Sequence, residues 1–258
     1  MCKPTYFNVI HKDLNVHMTM DNPVNIIKTH EQYANLIEIL RQFGIKIKFI
    51  PEKYGLVDMV FAANAGLIHD GVCIVSNFTA TPRRQETEIY EKYFKQNNDV
   101  VHPYHKFEGA GDALFSHRKS ILWMGFGFRT EKEAMNEISP FLNISIQSLC
   151  LIDPRFYHLD TCFCPMDDCV MVYLPAFTPE SQDIIKRAFE GRIISVDEED
   201  AVNFACNSFY ISEKACVIGH KYSDKLKTKI QDIGIKPLET NMSEFLKSGG
   251  SVKCCILS

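Results

Sequence analysis

With 258 residues and a formal net charge of −4, from 28 basic and 32 acidic side chains, the chain is long enough for a sizeable core and has its charges interspersed. It carries no basic stripe of the kind that phosphate backbones attract, which excludes nucleic acid as a partner. No apolar run approaches the roughly 20 residues that a bilayer span needs, which excludes a membrane-embedded protein.

Ten cysteines would suit an exported, disulfide-stapled protein, yet residues 1–20 include Lys3, His11, Lys12, Asp13 and His17 and no continuous apolar stretch. No export signal is read there. The thiols are therefore expected to be reduced, in a cytoplasmic protein, most of them serving as small core hydrophobes.

In chain order, a helix, a strand and a hairpin recur about five times. The first unit has a helix over 31–43 with Leu36, Ile37, Leu40 and Phe43 at helical spacing, then IKIKFIP (45–51). A hairpin follows, from DMVFAANAG (58–66) across His69-Asp70-Gly71 into VCIVS (72–76). The second has a helix over 86–95, DVVHPY (99–104), and a hairpin from EGAGDALFS (108–116) across His117-Arg118-Lys119 into ILWMGF (121–126). The third has a helix over 131–142, IQSLCLID (146–153), and YHLDTCFCP (157–165) turning at Asp167-Asp168 into VMVYLP (170–175). The fourth has a helix over 179–189, RIISVD (192–197), and FACNSFYIS (204–212) turning at Glu213-Lys214 into ACVIGH (215–220). The fifth has a helix over 223–233, IKPLETN (235–241) and a final strand in GGSVKCCILS (249–258). Its missing partner would be TYFNVIH (5–11), closing a ring. No unit can bury its apolar faces alone and no linker is visible. One domain over 1–258 is expected, with helices outside and short strands around a central cleft.

Three separated motifs carry the chemistry: FEGAGD (107–112), FYHLDTCF (156–163) and GGSVKC (249–254). A cysteine with a histidine elsewhere in the chain is a candidate nucleophile and proton carrier. Carboxylates beside them suit a planar cation whose N–H fork they can match, which points to guanidinium chemistry. If YHLDTCFCP is a strand, His158, Asp160, Cys162 and Cys164 share one face. Ligands packed on one strand cannot easily surround a metal ion tetrahedrally, so no metal is expected. Glu108, with few polar neighbours in sequence, needs a partner, for which a histidine is suitable; the alternative is a surface acid at a hairpin start. Alternation does not choose between Cys254 and Cys255. The last four residues, Cys255-Ile256-Leu257-Ser258, match a prenylation box but lack a polybasic approach, and read equally as a buried terminal strand.

FEGAGDALF, FYHLDTCFCP, FACNSFYI and GGSVKC together resemble the guanidino-group-modifying enzymes, over essentially the whole chain. This is the pentein superfamily of arginine deiminase, dimethylarginine dimethylaminohydrolase and arginine:glycine amidinotransferase. The resemblance implies an α/β fold, a pentein α/β-propeller of five ββαβ-type modules in pseudo-fivefold arrangement. It also implies Cys254 as nucleophile, His158 as general acid/base, Glu108 as its carboxylate partner and Asp160 as the grip on the guanidinium. Arg83 in TPRR and Arg129 in GFGFR match the family's clamps for the substrate α-carboxylate, the alternative being solvated surface arginines, with Arg84 able to stand in for Arg83. Where arginine deiminases have an aspartate, this chain has Asn64 in FAANAG. With Asn15 it is similar to the arginine dihydrolase branch, which takes arginine to ornithine, ammonia and carbon dioxide. A neutral amide, donor and acceptor at once, suits a neutral ureido intermediate better than an anion does.

The implied reaction passes through a covalent S-alkylthiouronium and needs no cofactor. Its partner is a small cationic guanidine, and a homo-oligomer is compatible with the sequence. Dimethylarginine dimethylaminohydrolase and arginine deiminase are the nearest alternatives. Outside enzymes stands a non-catalytic pentein, such as the ribosome-binding translation initiation factor of this fold.

Overall fold

The structure, a computed structural model, describes every residue except 12, 13, 19, 20 and 117–119. The turn expected at His117-Arg118-Lys119 lies outside the described residues.

Short β-branched and aromatic runs separated by turn residues form strands in threes. Among the described residues there are four three-stranded sheets. The first contains β1 (Gly66–His69), β2 (Val72–Val75) and β3 (Asp99–Val101), and the second β4 (Ala113–Ser116), β5 (Ile121–Phe126) and β6 (Ser145–Cys150). The third contains β7 (Phe163–Met166), β8 (Cys169–Val172) and β9 (Ile193–Ser195), and the fourth β10 (Phe209–Ile211), β11 (Cys216–Gly219) and β12 (Lys236–Glu239). In each the first pair is an antiparallel hairpin and the third strand joins parallel to the middle one. A parallel partner requires a crossover, and a helix provides it. The four are α2 (Glu86–Phe94), α3 (Ala134–Ile138), α4 (Pro179–Ala188) and α6 (Asp224–Asp232). The helix starts follow side-chain chemistry: Thr178 caps α4 by accepting from the Ser181 amide, and Ser223 caps α6 by accepting from Leu226.

The first and fifth units depart from the expectation. Helix α1 (Ile26–Gln42) starts five residues earlier than its apolar spacing suggested, because Asn25 caps it by accepting from the Lys28 amide. TYFNVIH is not a strand; the chain turns there, with the Phe7 amide donating to Pro4 O. The 45–51 segment, expected as a strand, makes only a single parallel bridge, between Cys2 and Ile50. GGSVKCCILS is not a strand either: Lys253–Cys255 is one turn of 3-10 helix. Two short helices, α5 (Glu198–Val202) and α7 (Ser243–Leu246), were not expected, and the third helix is shorter than the predicted 131–142, with residues 139–141 in a 3-10 turn.

Four apolar clusters hold the modules together. In the largest, Trp123 from β5 is fully buried, its ring 5.4 Å from Phe163 of β7 and 5.2 Å from Phe189 after α4, so one aromatic contact joins two modules. Neighbouring modules touch in sequence order, and the 253–255 turn returns to the turn at 62–65, which closes the ring. Each strand hairpin is entered through a tight turn, at 62–65, 109–111, 159–161 and 204–208, and these turns face the centre. Among the described residues no helix is long and apolar enough to cross a membrane.

Candidate active site

The turns converge on a small cavity of about 20 Å³, lined among others by Asn15, Asn64, Arg83, Arg129, His158 and Cys254. A volume of that size admits about one water molecule. Leu14, Asn15 and Met18 roof it, held down by Asn15 Nδ2 donating to Ser248 O (3.1 Å) and by Arg129 donating to Leu14 O.

His158 and Asp160 do not reach the centre by strand alternation. Residues 159–161 form a 3-10 turn and the strand begins only at Phe163, so the one-face reading of His158, Asp160, Cys162 and Cys164 fails. Cys162 and Cys164 point into the core, their thiols on Leu159 O and Ser208 O. None of the ten cysteines forms a disulfide among the described residues.

Glu108 is fully buried, which overturns the surface-acid alternative. Its Oε2 lies 2.7 Å from His158 Nε2 and accepts from Arg129 (3.2 Å), while Oε1 accepts from the Thr79 amide (3.0 Å). Burial pushes this carboxyl up, but the hydrogen bond and charge of His158, with Arg129 and Arg83 behind, outweigh it and hold it at about 2. A second carboxylate, Asp112, stands 4.0 Å from His158 Nε2 and accepts from Thr130 Oγ1 and the Leu159 amide. Burial raises it to about 6.

Cys254 Sγ is 3.4 Å from Asp160 Oδ2. Burial drives the thiol well above its ordinary range, and the charge of Asp160 adds to this. Asp160 is itself raised to about 7 by burial, against the charge of Lys253 and the hydrogen bond from Cys254. Its other oxygen, Oδ1, is buried and has no hydrogen-bond partner among the described residues. An unpaired buried carboxylate oxygen is costly unless a donor or cation arrives.

Arg83 and Arg129 are both buried, not surface residues. Arg83 is pinned by Glu86 (Nε–Oε1 3.0 Å, Nη2–Oε2 2.8 Å) and donates to Asn64 Oδ1 (2.9 Å). Asn64 in turn donates to Glu108 O (3.2 Å). The Arg129 guanidinium lies 4.7 Å from the centre of the Tyr157 ring, whose hydroxyl donates to Gly249 O (2.7 Å). Gly249 has φ +81, and a Cβ there would stand 2.8 Å from Asn15 Oδ1. Only glycine meets both conditions. Asn15 Oδ1 also accepts from the His17 amide (2.9 Å).

Cys255 points away into the core and is fully buried, so the terminal prenylation box is inaccessible in the fold. Asn207, Asp112 and Tyr157 are contacts that the sequence reading passed over. FACNSFYI supported the fold alone, and an amide or a phenol does not stand out in a search for acids, bases and nucleophiles. The position of Asn207 in the turn of the fourth module, matching the turns that hold Glu108 and His158, was the available signal.

A buried thiol, a histidine paired to a carboxylate and a second carboxylate, set by the turns of a modular α/β ring, define a pentein with a guanidino-modifying type of site. The N,N dimethylarginine dimethylhydrolase family, in its eukaryotic form, matches residues 6–258, and the chain belongs to that family. It is 39% identical to the bifunctional arginine dihydrolase/ornithine cyclodeaminase AgrE of Nostoc and 38% identical to ArgZ of Synechocystis, over the whole of this chain in both. The chain spans only 37% of the length of these two relatives. With the N(G),N(G)-dimethylarginine dimethylaminohydrolase of Mycobacterium tuberculosis it shares 32% identity over all of this chain and 84% of that one. The crystal structure of the product-bound N-terminal domain of ArgZ, an arginine dihydrolase, matches with a TM-score of 0.95 at 35% identity, covering 100% of this chain and 95% of that one. A dimethylarginine dimethylaminohydrolase carrying an S-methyl-L-thiocitrulline adduct shares the fold, with a TM-score of 0.77 at 22% identity over 93% of this chain and 92% of that one.

Proposed function

We propose that this chain, as a single catalytic domain, is a cysteine-dependent guanidine hydrolase whose reaction is that of an arginine dihydrolase, from arginine to ornithine, ammonia and carbon dioxide. The observation that carries the guanidine reading is the buried Asp160 carboxyl, whose Oδ2 lies 3.4 Å from Cys254 Sγ while its Oδ1 has no hydrogen-bond partner among the described residues. A guanidinium N–H would satisfy it, and the same cation would stabilise the thiolate that burial disfavours.

The Cys254 thiolate attacks the central guanidinium carbon. His158 as imidazolium, held by Glu108, passes its proton to the departing amine, and ammonia leaves. An S-alkylthiouronium remains on Cys254. The now neutral His158 takes a proton from water, whose oxygen bonds to the same carbon and restores the thiolate. Asn64 and Asn15, neutral amides at the cavity, suit retention of the neutral ureido product for a second round. The similarity to AgrE and ArgZ supports this reading, as does the ArgZ domain, for which a substrate complex of a cysteine-to-serine mutant and a covalent intermediate of an asparagine-to-serine mutant are known.

A cavity of about 20 Å³ does not hold arginine, so the roof at Leu14 to Met18 has to move. Its movement frees the Arg129 donors now spent on Leu14 O, which are then available to a substrate carboxylate; Arg83, pinned by Glu86, extends the same cationic wall. The ten cysteines, read as reduced thiols, suit a cytoplasmic setting.

The second reading, release of dimethylamine from dimethylarginine, is favoured by the 84% coverage of the M. tuberculosis relative. Mass spectrometry of products from arginine, citrulline and dimethylarginine, each supplied separately, decides. Ornithine from arginine supports the dihydrolase; citrulline and dimethylamine from dimethylarginine, with arginine untouched, overturn it in favour of the second reading.

A further inference from the structure

Asn207 is fully buried and belongs to none of the groups so far given a role. Its Oδ1 accepts from two backbone amides of the nucleophile's turn, Ser251 (3.1 Å) and Cys254 (3.2 Å). Because an amide NH₂ cannot accept, these two donors fix which end of the side chain is oxygen. Nδ2 is therefore the end that faces Asp160 O (3.1 Å) and Cys254 Sγ (3.1 Å), giving both of its hydrogens to named acceptors. The Asn207 backbone carbonyl also accepts from the Lys253 amide (3.3 Å). One side chain thus joins the turn that carries the nucleophile, the loop that carries the guanidinium-binding carboxylate, and the sulfur itself.

Burial and the Asp160 carboxylate oppose the ionisation of Sγ, and the Ser251 backbone favours it. Asp160 is an anion when ionised, and the surroundings are dry. Asn207 Nδ2 supplies an N–H directed at the sulfur, and such a hydrogen bond favours the charged form. It is also present before any substrate arrives.

Resting on the reading of Cys254 as nucleophile, we infer that Asn207 is a further residue of the reaction machinery: through Oδ1 it sets the orientation of the Cys254 turn, and through Nδ2 it stabilises the thiolate. This differs from the substrate's own contribution, because it acts in the free protein and again each time the thiolate is regenerated.

The test is the pH dependence of Cys254 alkylation by iodoacetamide without substrate, followed on the Cys254 peptide by mass spectrometry to separate it from the other nine cysteines. Asn207→Asp keeps the oxygen that accepts from Ser251 and Cys254 but replaces the donor by an acceptor. The alkylation midpoint should rise by about one pH unit or more, which lowers the reactive fraction about tenfold below the midpoint. An unchanged midpoint in a folded Asn207→Asp protein overturns the proposal and leaves Asn207 a structural clamp. If that variant does not fold, the wild type decides. With ¹⁵N-labelled asparagine, the Asn207 Nδ2 resonance should move with the same midpoint as alkylation and stay fixed in Cys254→Ser. No such movement in the wild type overturns the proposal. Neither readout involves a substrate, so a failure here leaves the guanidine reading to be judged separately by turnover in Cys254→Ser.

Discussion

His158 Nε2 and Glu108 Oε2 stand 2.7 Å apart, the histidine on the cavity wall and both almost wholly withdrawn from water. The pair joins the turns of the second and third modules, so it fastens the ring as well as orienting the imidazole. Glu108→Gln keeps the shape but removes the anion facing His158 and Arg129. We expect kcat to fall about 10²- to 10⁴-fold, as for loss of a general-acid function. Stability should fall by about 3 kcal/mol, since a buried pair that loses one partner leaves the other uncompensated. Steady-state kinetics and denaturant unfolding check the two effects.

The same carboxyl gives the acid side of the stability profile. Its folded value of about 2 lies below the unfolded value of 4.5, so its contribution is fully present above about pH 4.5 and is lost as pH falls towards 2. Unfolding curves of the wild type should weaken through that window, and those of Glu108→Gln should be flatter there.

Asp160 has the opposite sign. An acid raised from 3.8 to about 7 binds its proton more tightly when folded, so its ionisation weakens the free fold as pH climbs between these values. A guanidinium needs the carboxylate form, so binding should expel a proton. Calorimetry of arginine binding to Cys254→Ser, in buffers of different ionisation enthalpy near pH 6, should report release of nearly one proton. No release would mean that Asp160 is already ionised in the free protein or does not meet the cation.

Gly111 offers a steric test of the neutral amide. A Cβ built there falls on Asn64 Nδ2 and lies 3.4 Å from the His158 ring, although the backbone itself would accept alanine. Gly111→Ala should cost about 1–3 kcal/mol through overpacking. It should also displace Asn64 and lower kcat/KM at least tenfold, seen in unfolding curves and initial rates.

Asn64→Asp addresses the second hydrolysis directly. The new carboxylate would keep an acceptor for Arg83 but turn an oxygen towards Glu108 O, where the amide now donates. Citrulline should accumulate from arginine at the expense of ornithine, as read by product analysis. An unchanged product ratio would remove Asn64 from selectivity.

Much of this architecture was legible because hairpins with local turns and amphipathic helices are set by nearby residues. The repeat was visible in four modules for that reason. The closure of the ring was not legible, because it depends on contacts far apart in sequence, Cys2 with Ile50 and the 253–255 turn with the turn at 62–65, with no local turn to announce them. The 159–161 turn was taken as strand because Phe163 to Met166 is one, and alternation was extended back across a 3-10 turn. Motifs brought together Cys254, His158, Glu108 and Asp160 as a group, but the burial of Arg83 against Glu86 and Tyr90 could not be read from TPRR.

The convergence of successive turns on one centre has a consequence for how the protein fails. Cys254, Asn64, Glu108 and His158 each arrive from a different turn of the ring, so no single module holds the active centre, and a ring opened at any seam loses its chemistry. Inactivation by heat should therefore track the parting of the modules, with no weakly active intermediate on the way.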